Sequence, residues 1–164
     1  MSSDVLRLKI CGIQTMLSAD EYRAKNQKVS DLAFKAADKL INGLKWNREE
    51  IRCLFLMTST PDYLIPSTAS LLQKRLEIGH ECLVWDMNMG DRALPQSLKV
   101  ADDMMHRIAP DCKGILIYSD IKQDQTKQKA VAIAIQCVES GEGVYCDIDM
   151  TDGIYTDLPE LFSE

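Results

Sequence analysis

The stretch TSTPDYLIPSTASLLQKRL, Thr58 to Leu76, separates two unlike kinds of sequence. Ahead of it lies IRCLFLM, whose unbroken apolar run from Leu54 to Met57 is the mark of a strand covered on both faces. Behind the loop, Pro66 and Ser67 open a helix over STASLLQKRLEIG, with Gly79 as the expected stop. A buried strand, a loop and a helix in that order begin a β-α-β unit.

The same alternation extends outward on both sides. Upstream, Ser30-Asp31 is the expected N-cap of a helix whose Leu32, Ala33, Ala36, Ala37, Leu40, Ile41 and Leu44 share one face. Further upstream, VLRLKICGI alternates enough to be an edge strand. Downstream, ECLVWDM reads as a second buried strand. Leu94, Leu98, Ala101, Met105 and Ile108 then recur at helical spacing, and Pro95 falls in the first turn, where its missing N–H costs little. GILIYS is a strand, and VAIAIQCVE and GVYCDIDM read as two more, although periodicity alone leaves a helix open for VAIAIQCV. Strands alternating with helices predict an α/β fold with a mainly parallel sheet. No repeat or Pro/Gly-rich linker divides residues 1–164, so a single domain is expected.

Composition narrows the function classes. Apolar residues at 46% and charged residues at 27% are globular values and speak against disorder. A net charge of −6, with no basic patch, argues against a nucleic-acid partner. No run of 18 apolar residues points to a membrane span, and MSSDVLRLKICG lacks a signal peptide's apolar core, so a cytoplasmic location is expected. Six cysteines (Cys11, Cys53, Cys82, Cys112, Cys137, Cys146) include no C-x-x-C pair, and Cys53, Cys82 and Cys137 sit in apolar runs. Buried reduced thiols are expected rather than disulfides. His80 and His106 lie apart from any cysteine pair, so no metal and no cofactor is expected, and both read as solvated or capping side chains.

Thr58 to Leu76 also carries a resemblance. It is similar to the β-ketoacyl-ACP synthase III pattern T-S-T-P-D-Y-x-x-P-S-T-A followed by a helix. Weaker likenesses flank it in the family's order. CGIQTMLSADE resembles T-G-I-R-E-R-R, SDLAFKAADKLI resembles the next helix, and WDMNMGDRALPQSLKVADDM resembles the nucleophile strand, turn and helix. MTDGIYTDLPEL resembles the segment closing the first half of a thiolase-like fold. The resemblance implies one thiolase-like half with a mainly parallel five-stranded sheet of βαβαβ type. It also implies dimers in which a strand from each subunit continues the sheet. Pro61, Asp62, Tyr63, Leu64, Ile65 and Pro66 would then form a loop crossing into the partner's acyl tunnel, with Ile65 at the position whose size helps set chain length.

Three departures from the pattern bear on activity. The family's D-x-x-A-A-C-S-G-F stretch here reads Asp86-Met87-Asn88-Met89-Gly90-Asp91-Arg92-Ala93-Leu94, which puts Asp91 at the cysteine's position. Acyl transfer from a thioester needs a polarisable thiolate. A carboxylate attacks thioesters poorly, and Asp91 is more simply a helix N-terminal anion. The family's histidine and asparagine come from a second half that the resemblance does not reach, and His80 and His106 do not replace them. At the place of T-G-I-R-E-R-R stands Cys11-Gly12-Ile13-Gln14-Thr15-Met16-Leu17, without the basic residues that would offset a nucleotide's phosphates.

The resemblance with these departures implies a non-catalytic half-subunit, without condensing activity of its own although the family activity is that of an acyltransferase. It would dimerise with itself or with a complete condensing enzyme, shaping or stabilising an acyl pocket in fatty acid or polyketide-type synthesis. Acyl carrier protein, itself acidic, would be met only through the partner. A half-fold would leave one sheet face uncovered and in need of a partner. One alternative is an enzyme with divergent acyl-thioester chemistry in the old pocket, using Asp91 with Asp86 or Asn88. A further alternative is a relic without activity.

Overall fold

The computed structural model describes residues 4–18, 28–89, 93–121, 128–139 and 144–146. In chain order the elements are strands β1 (Asp4–Leu6) and β2 (Leu8–Leu17), helix α1 (Val29–Leu44), strand β3 (Ile51–Met57), helix α2 (Thr68–Arg75), strand β4 (Leu83–Met87), helix α3 (Ala93–Ile108), and strands β5 (Lys113–Asp120), β6 (Lys129–Cys137) and β7 (Val144–Cys146). Five strands form one sheet in the order β2-β6-β5-β3-β4, and β1 pairs with β7 in a separate two-stranded sheet. VLRLKICGI is thus divided between two sheets, with β2 the edge strand of the larger. VAIAIQCV is a strand, and of GVYCDIDM the described residues 144–146 are strand. The MTDGIYTDLPEL segment lies outside the described residues.

The sheet is mainly parallel as expected, with β2, β5, β3 and β4 running one way, but it is mixed because β6 runs against them. β3 runs parallel to both β4 and β5, whereas β6 runs antiparallel to β5 and to β2. The connections explain this. β3 reaches β4 through α2, and β4 reaches β5 through α3, and a helical crossover returns the chain in the same direction. Only residues 121–128 join β5 to β6, too few for a crossover helix, so the chain doubles back.

Both faces of the sheet are covered, contrary to the expectation of a bare one. β3 shows how: Leu54 and Leu56 join the core under α1 and α2, while Cys53, Phe55 and Met57 join the core under α3. The second core is closed by Leu94, Leu98, Ala101 and Met105 of α3, and Leu6 and Leu8 also belong to it. One apolar stripe on a helix suffices to bury that side of the sheet.

The α1 face is packed with small residues. Ala33, Ala36 and Ala37 of α1 are fully buried in the same cluster as Ala130, Ala132 and Ala134 of β6. Alternation along β6 sends Val131, Ile133 and Ile135 to the opposite core, so the strand is small on one face and large on the other. Alanines facing alanines let helix and sheet approach closely.

Helix ends depart from expectation in detail. α1 starts one residue before Ser30, with Lys28 as N-cap, and the Lys28 N–H donates to Asp31 Oδ2 at 3.4 Å. Ser30 is drawn inside because its N–H donates to Asp62 Oδ1 at 3.2 Å and its hydroxyl accepts from Arg75 Nη1 at 3.1 Å. α2 ends well before Gly79, and Glu77 takes the left-handed conformation (φ 55°) instead. The Ile78 N–H closes that turn onto Gln73 O at 3.0 Å. Among the described residues no helix is long and apolar enough to cross a membrane.

Two outcomes follow from this packing. Ala132→Leu, which forces a branched side chain between α1 and β6, should cost about 1–3 kcal/mol of unfolding free energy by urea titration, and a neutral result would contradict the tight interface. Cys82 lies in the α1–α2 core, where burial pushes its thiol up to about 12. The folded state therefore holds the proton while the unfolded thiol ionises near about 8.5. Stability from this source is complete below about pH 8.5 and is lost as pH climbs towards 12. Cys82→Ala should flatten the alkaline decline in melting temperature, and an unchanged decline would contradict it.

Candidate functional site

The segment between β3 and α2 is held by three carboxylates, two from neighbouring strands and one, Asp62, of its own. Asp120, the last residue of β5, receives the first turn of the loop. Its Oδ1 accepts from Thr58 Oγ1 at 2.9 Å and from the Ser59 N–H at 2.7 Å, and its Oδ2 accepts from Ser59 Oγ at 3.0 Å. Tyr118 OH donates to the same carboxylate at 3.3 Å. The Thr60 N–H donates to Thr58 Oγ1, and the Ile121 N–H donates to Thr60 Oγ1, so the two threonine hydroxyls are locked in direction.

Asp62 fastens the middle of the loop. Its N–H donates to Thr68 Oγ1 at 3.0 Å, and its Oδ1 accepts from the Ser30 N–H at the start of α1. Lys28 Nζ donates to Tyr63 OH at 2.5 Å.

Asp86 of β4 holds the far end. Its two oxygens accept from the N–H groups of Thr68 and Ala69, each at 2.7 Å. Ser67 Oγ accepts from the Ser70 N–H, so the three leading donors of α2 all have partners. A charged acceptor on a helix N-terminus is favoured by both the free amides and the helix dipole.

Between these anchors the loop tip projects. Leu64 and Ile65 are each 90% exposed, and Tyr63 is about half exposed. The neighbouring strand β4 is outermost in the sheet, with nothing beyond it among the described residues. It presents Trp85, 42% exposed and stacked on Phe55 at 5.2 Å, with Met89 also exposed just past its end. The loop tip thus carries two bare aliphatic side chains on a tied-down backbone, and β4 leaves an unpaired strand edge among the described residues.

The other residues singled out in sequence fare differently. Asn88 is exposed, and Asp91, with Gly90 and Arg92, lies outside the described residues. His80 is exposed, in a cleft of about 90 Å³ also lined by Glu49, Arg52 and Glu81, far below the size of a ligand pocket. His106 is not solvated: its ring nitrogens approach Asp102 O at 2.8 Å and Val138 O at 3.3 Å. Cys137, His106 and Asp102 share a triad's composition without its geometry. Both Asp102 Oδ1 (3.2 Å) and Cys137 Sγ (3.6 Å) approach Nδ1, so the ring cannot pass a proton from one to the other. Burial pushes the Cys137 thiol up to about 12. Cys53, Cys82 and Cys112 are likewise buried free thiols, and Cys11 is a half-buried one.

Asp120 was not visible as a site residue from sequence. It lies 60 residues from the loop it fastens, and its only local signal is a polar residue closing an apolar strand.

No family model matches the chain. It is 39% identical to β-ketoacyl-[acyl-carrier-protein] synthase III of Neisseria meningitidis over 64 residues, covering 39% of this chain and 20% of that protein. It is 37% identical to the synthase III of Xanthomonas euvesicatoria over 95 residues, covering 57% of this chain and 28% of that protein. The chain is β-ketoacyl-ACP synthase III-like over part of its length. The likeness in fold extends to solved structures. A 3-oxoacyl-(acyl-carrier protein) synthase from Burkholderia xenovorans superposes with a TM-score of 0.69 at 21% identity, covering 82% of this chain and 50% of that one. A variant of OleA from Xanthomonas campestris gives 0.67 at 17% identity, covering 82% and 60%. At these identities the superpositions speak for the fold, a thiolase-like α/β half. The chain spans under a third of those two curated relatives and half to three-fifths of the solved neighbours.

The capping role of Asp86 is directly testable. Asp86→Ala leaves the Thr68 and Ala69 amides without their acceptor and should cost about 2 kcal/mol in urea unfolding. A loss below about 0.5 kcal/mol would mean the carboxylate does not hold α2.

Proposed function

We propose that this chain is a non-catalytic pairing subunit of the β-ketoacyl-ACP synthase III type. It covers its loop tip and its β4 edge against a second condensing-enzyme fold, either its own copy or a complete synthase, and shapes or stabilises the acyl pocket there. The observation that carries this reading is the exposure of Leu64 and Ile65, 90% each, on a loop whose backbone is tied down on both sides. Water-exposed aliphatic side chains on a loop free to rearrange would be unremarkable, because the loop could fold them inward. Here Asp120, Asp62 and Asp86 hold them out.

Two further observations support the pairing reading over a catalytic one. Asp91 stands where the resemblance puts the nucleophilic cysteine. Asp86, the partner that a divergent carboxylate chemistry would draw on, already spends both oxygens on the start of α2. The proposal places the protein in the cytoplasm, in acyl-chain synthesis, and leaves contact with acyl carrier protein to the partner.

Sedimentation velocity over a range of concentrations tests the pairing. Wild type alone, or mixed with a complete synthase III, should form a dimer, and Ile65→Asp should weaken it at least about tenfold. The substitution falls on a side chain 90% exposed in the lone chain, so the monomer should keep its melting temperature. Monomers under every condition, or a dimer indifferent to Ile65→Asp, would sink the proposal. Independently, incubation with acyl-CoA followed by intact-mass measurement should give no stoichiometric adduct, and an acyl adduct on any residue would refute the non-catalytic reading.

A further inference from the structure

We infer that Asp120 is the positioning residue of the pairing surface: without touching a partner, it sets pairing strength by fixing the first turn of the loop that presents Leu64 and Ile65. The inference rests on the pairing reading above and adds what determines its affinity. Asp120 gathers Thr58 Oγ1, the Ser59 N–H, Ser59 Oγ and Tyr118 OH on one carboxylate, and Thr60 Oγ1 lies 3.4 Å from Oδ1. Three consecutive loop residues, 58 to 60, therefore turn about a single side chain that belongs to another strand.

The far end of the loop is secured differently, through Asp86 on the α2 amides. Releasing Asp120 would loosen residues 58–61 while Asp62 and α2 keep their own anchors, so the entry to the loop would give way without the loop dissolving. Ordering a mobile segment on association subtracts from affinity, and a segment already ordered avoids that loss. Thr58 is itself 4% exposed, and its hydroxyl both accepts from the Thr60 N–H and donates to Asp120, so the carboxylate fixes the direction of the whole turn.

The test compares Asp120→Ala, Asp120→Asn and Thr60→Val with wild type in pairing affinity and in amide hydrogen exchange of residues 59–66. Asp120→Ala should weaken pairing about tenfold and speed exchange in that segment, with the melting of the sheet core little changed. Asp120→Asn keeps an acceptor for Thr58 and Ser59 and should recover most of the loss, which a mere charge effect would not allow. Thr60→Val changes an exposed residue, so it keeps the fold even if Asp120→Ala does not, and it should weaken pairing several-fold. Pairing by Asp120→Ala within twofold of wild type, despite faster exchange, would overturn the inference. So would unaltered pairing by Thr60→Val if Asp120→Ala does not fold. Ile65→Asp, run in parallel, separates the two claims. If it disrupts pairing and Asp120→Ala does not, only the role of Asp120 fails; if it has no effect, the pairing reading fails and takes this inference with it.

Discussion

Strand ends in a parallel sheet leave amides and hydroxyls without ladder partners, and here two carboxylates absorb them. Asp120 and Asp86 stand on β5 and β4, the strands that flank β3, and each reaches into the segment that follows β3. One takes the donors of the first loop turn, the other the first donors of α2. Everything between them is thereby placed. The loop tip can be apolar and exposed because the backbone on either side of it is tied down, and α2 can start sharply because its leading amides face a charge.

The rest of the molecule keeps those two anchors in register. β3 is buried on both faces, so its direction and twist are fixed by two cores at once. α1 presses close on the alanine side of β6, and α3 covers the larger side chains opposite. A single-helix cover on one face is enough because the β6 side chains there are bulky while those under α1 are small. Among the described residues the most exposed large apolar side chains, Leu64 and Ile65, sit on one loop, with lesser exposure at both sheet edges: Trp85 of β4 with Met89 just past it, and Ile13 and Leu17 of β2.

Much of this was legible in the sequence. The Leu54–Met57 run, the α1 face from Leu32 to Ile41 and Pro95 in the first turn of α3 follow from local periodicity and fixed backbone angles. Features set by chain direction or by distant partners were not. The antiparallel placement of β6 depends on the length of residues 121–128 rather than on its own composition, which suits either direction. Ser30 reads as a cap until Asp62, 32 residues away, claims its N–H. Asp86 reads as a pocket acid until the amides of Thr68 and Ala69 are found on it. Asp120 carried only the weak signal of a polar residue at a strand end, since its partners lie about 60 residues upstream.

The central claim is that the loop and the β4 edge together form a preformed surface that a second fold covers. Hydrogen exchange followed by mass spectrometry, at protein concentrations from well below to well above the onset of association and with a complete synthase III added, tests it most directly. The account predicts that peptides spanning residues 61–66 and 83–87 gain protection together as pairing proceeds, while peptides from β2, at the opposite edge, do not change. Equal exchange of 61–66 and 83–87 under all these conditions, or protection confined to the β2 edge, would contradict it.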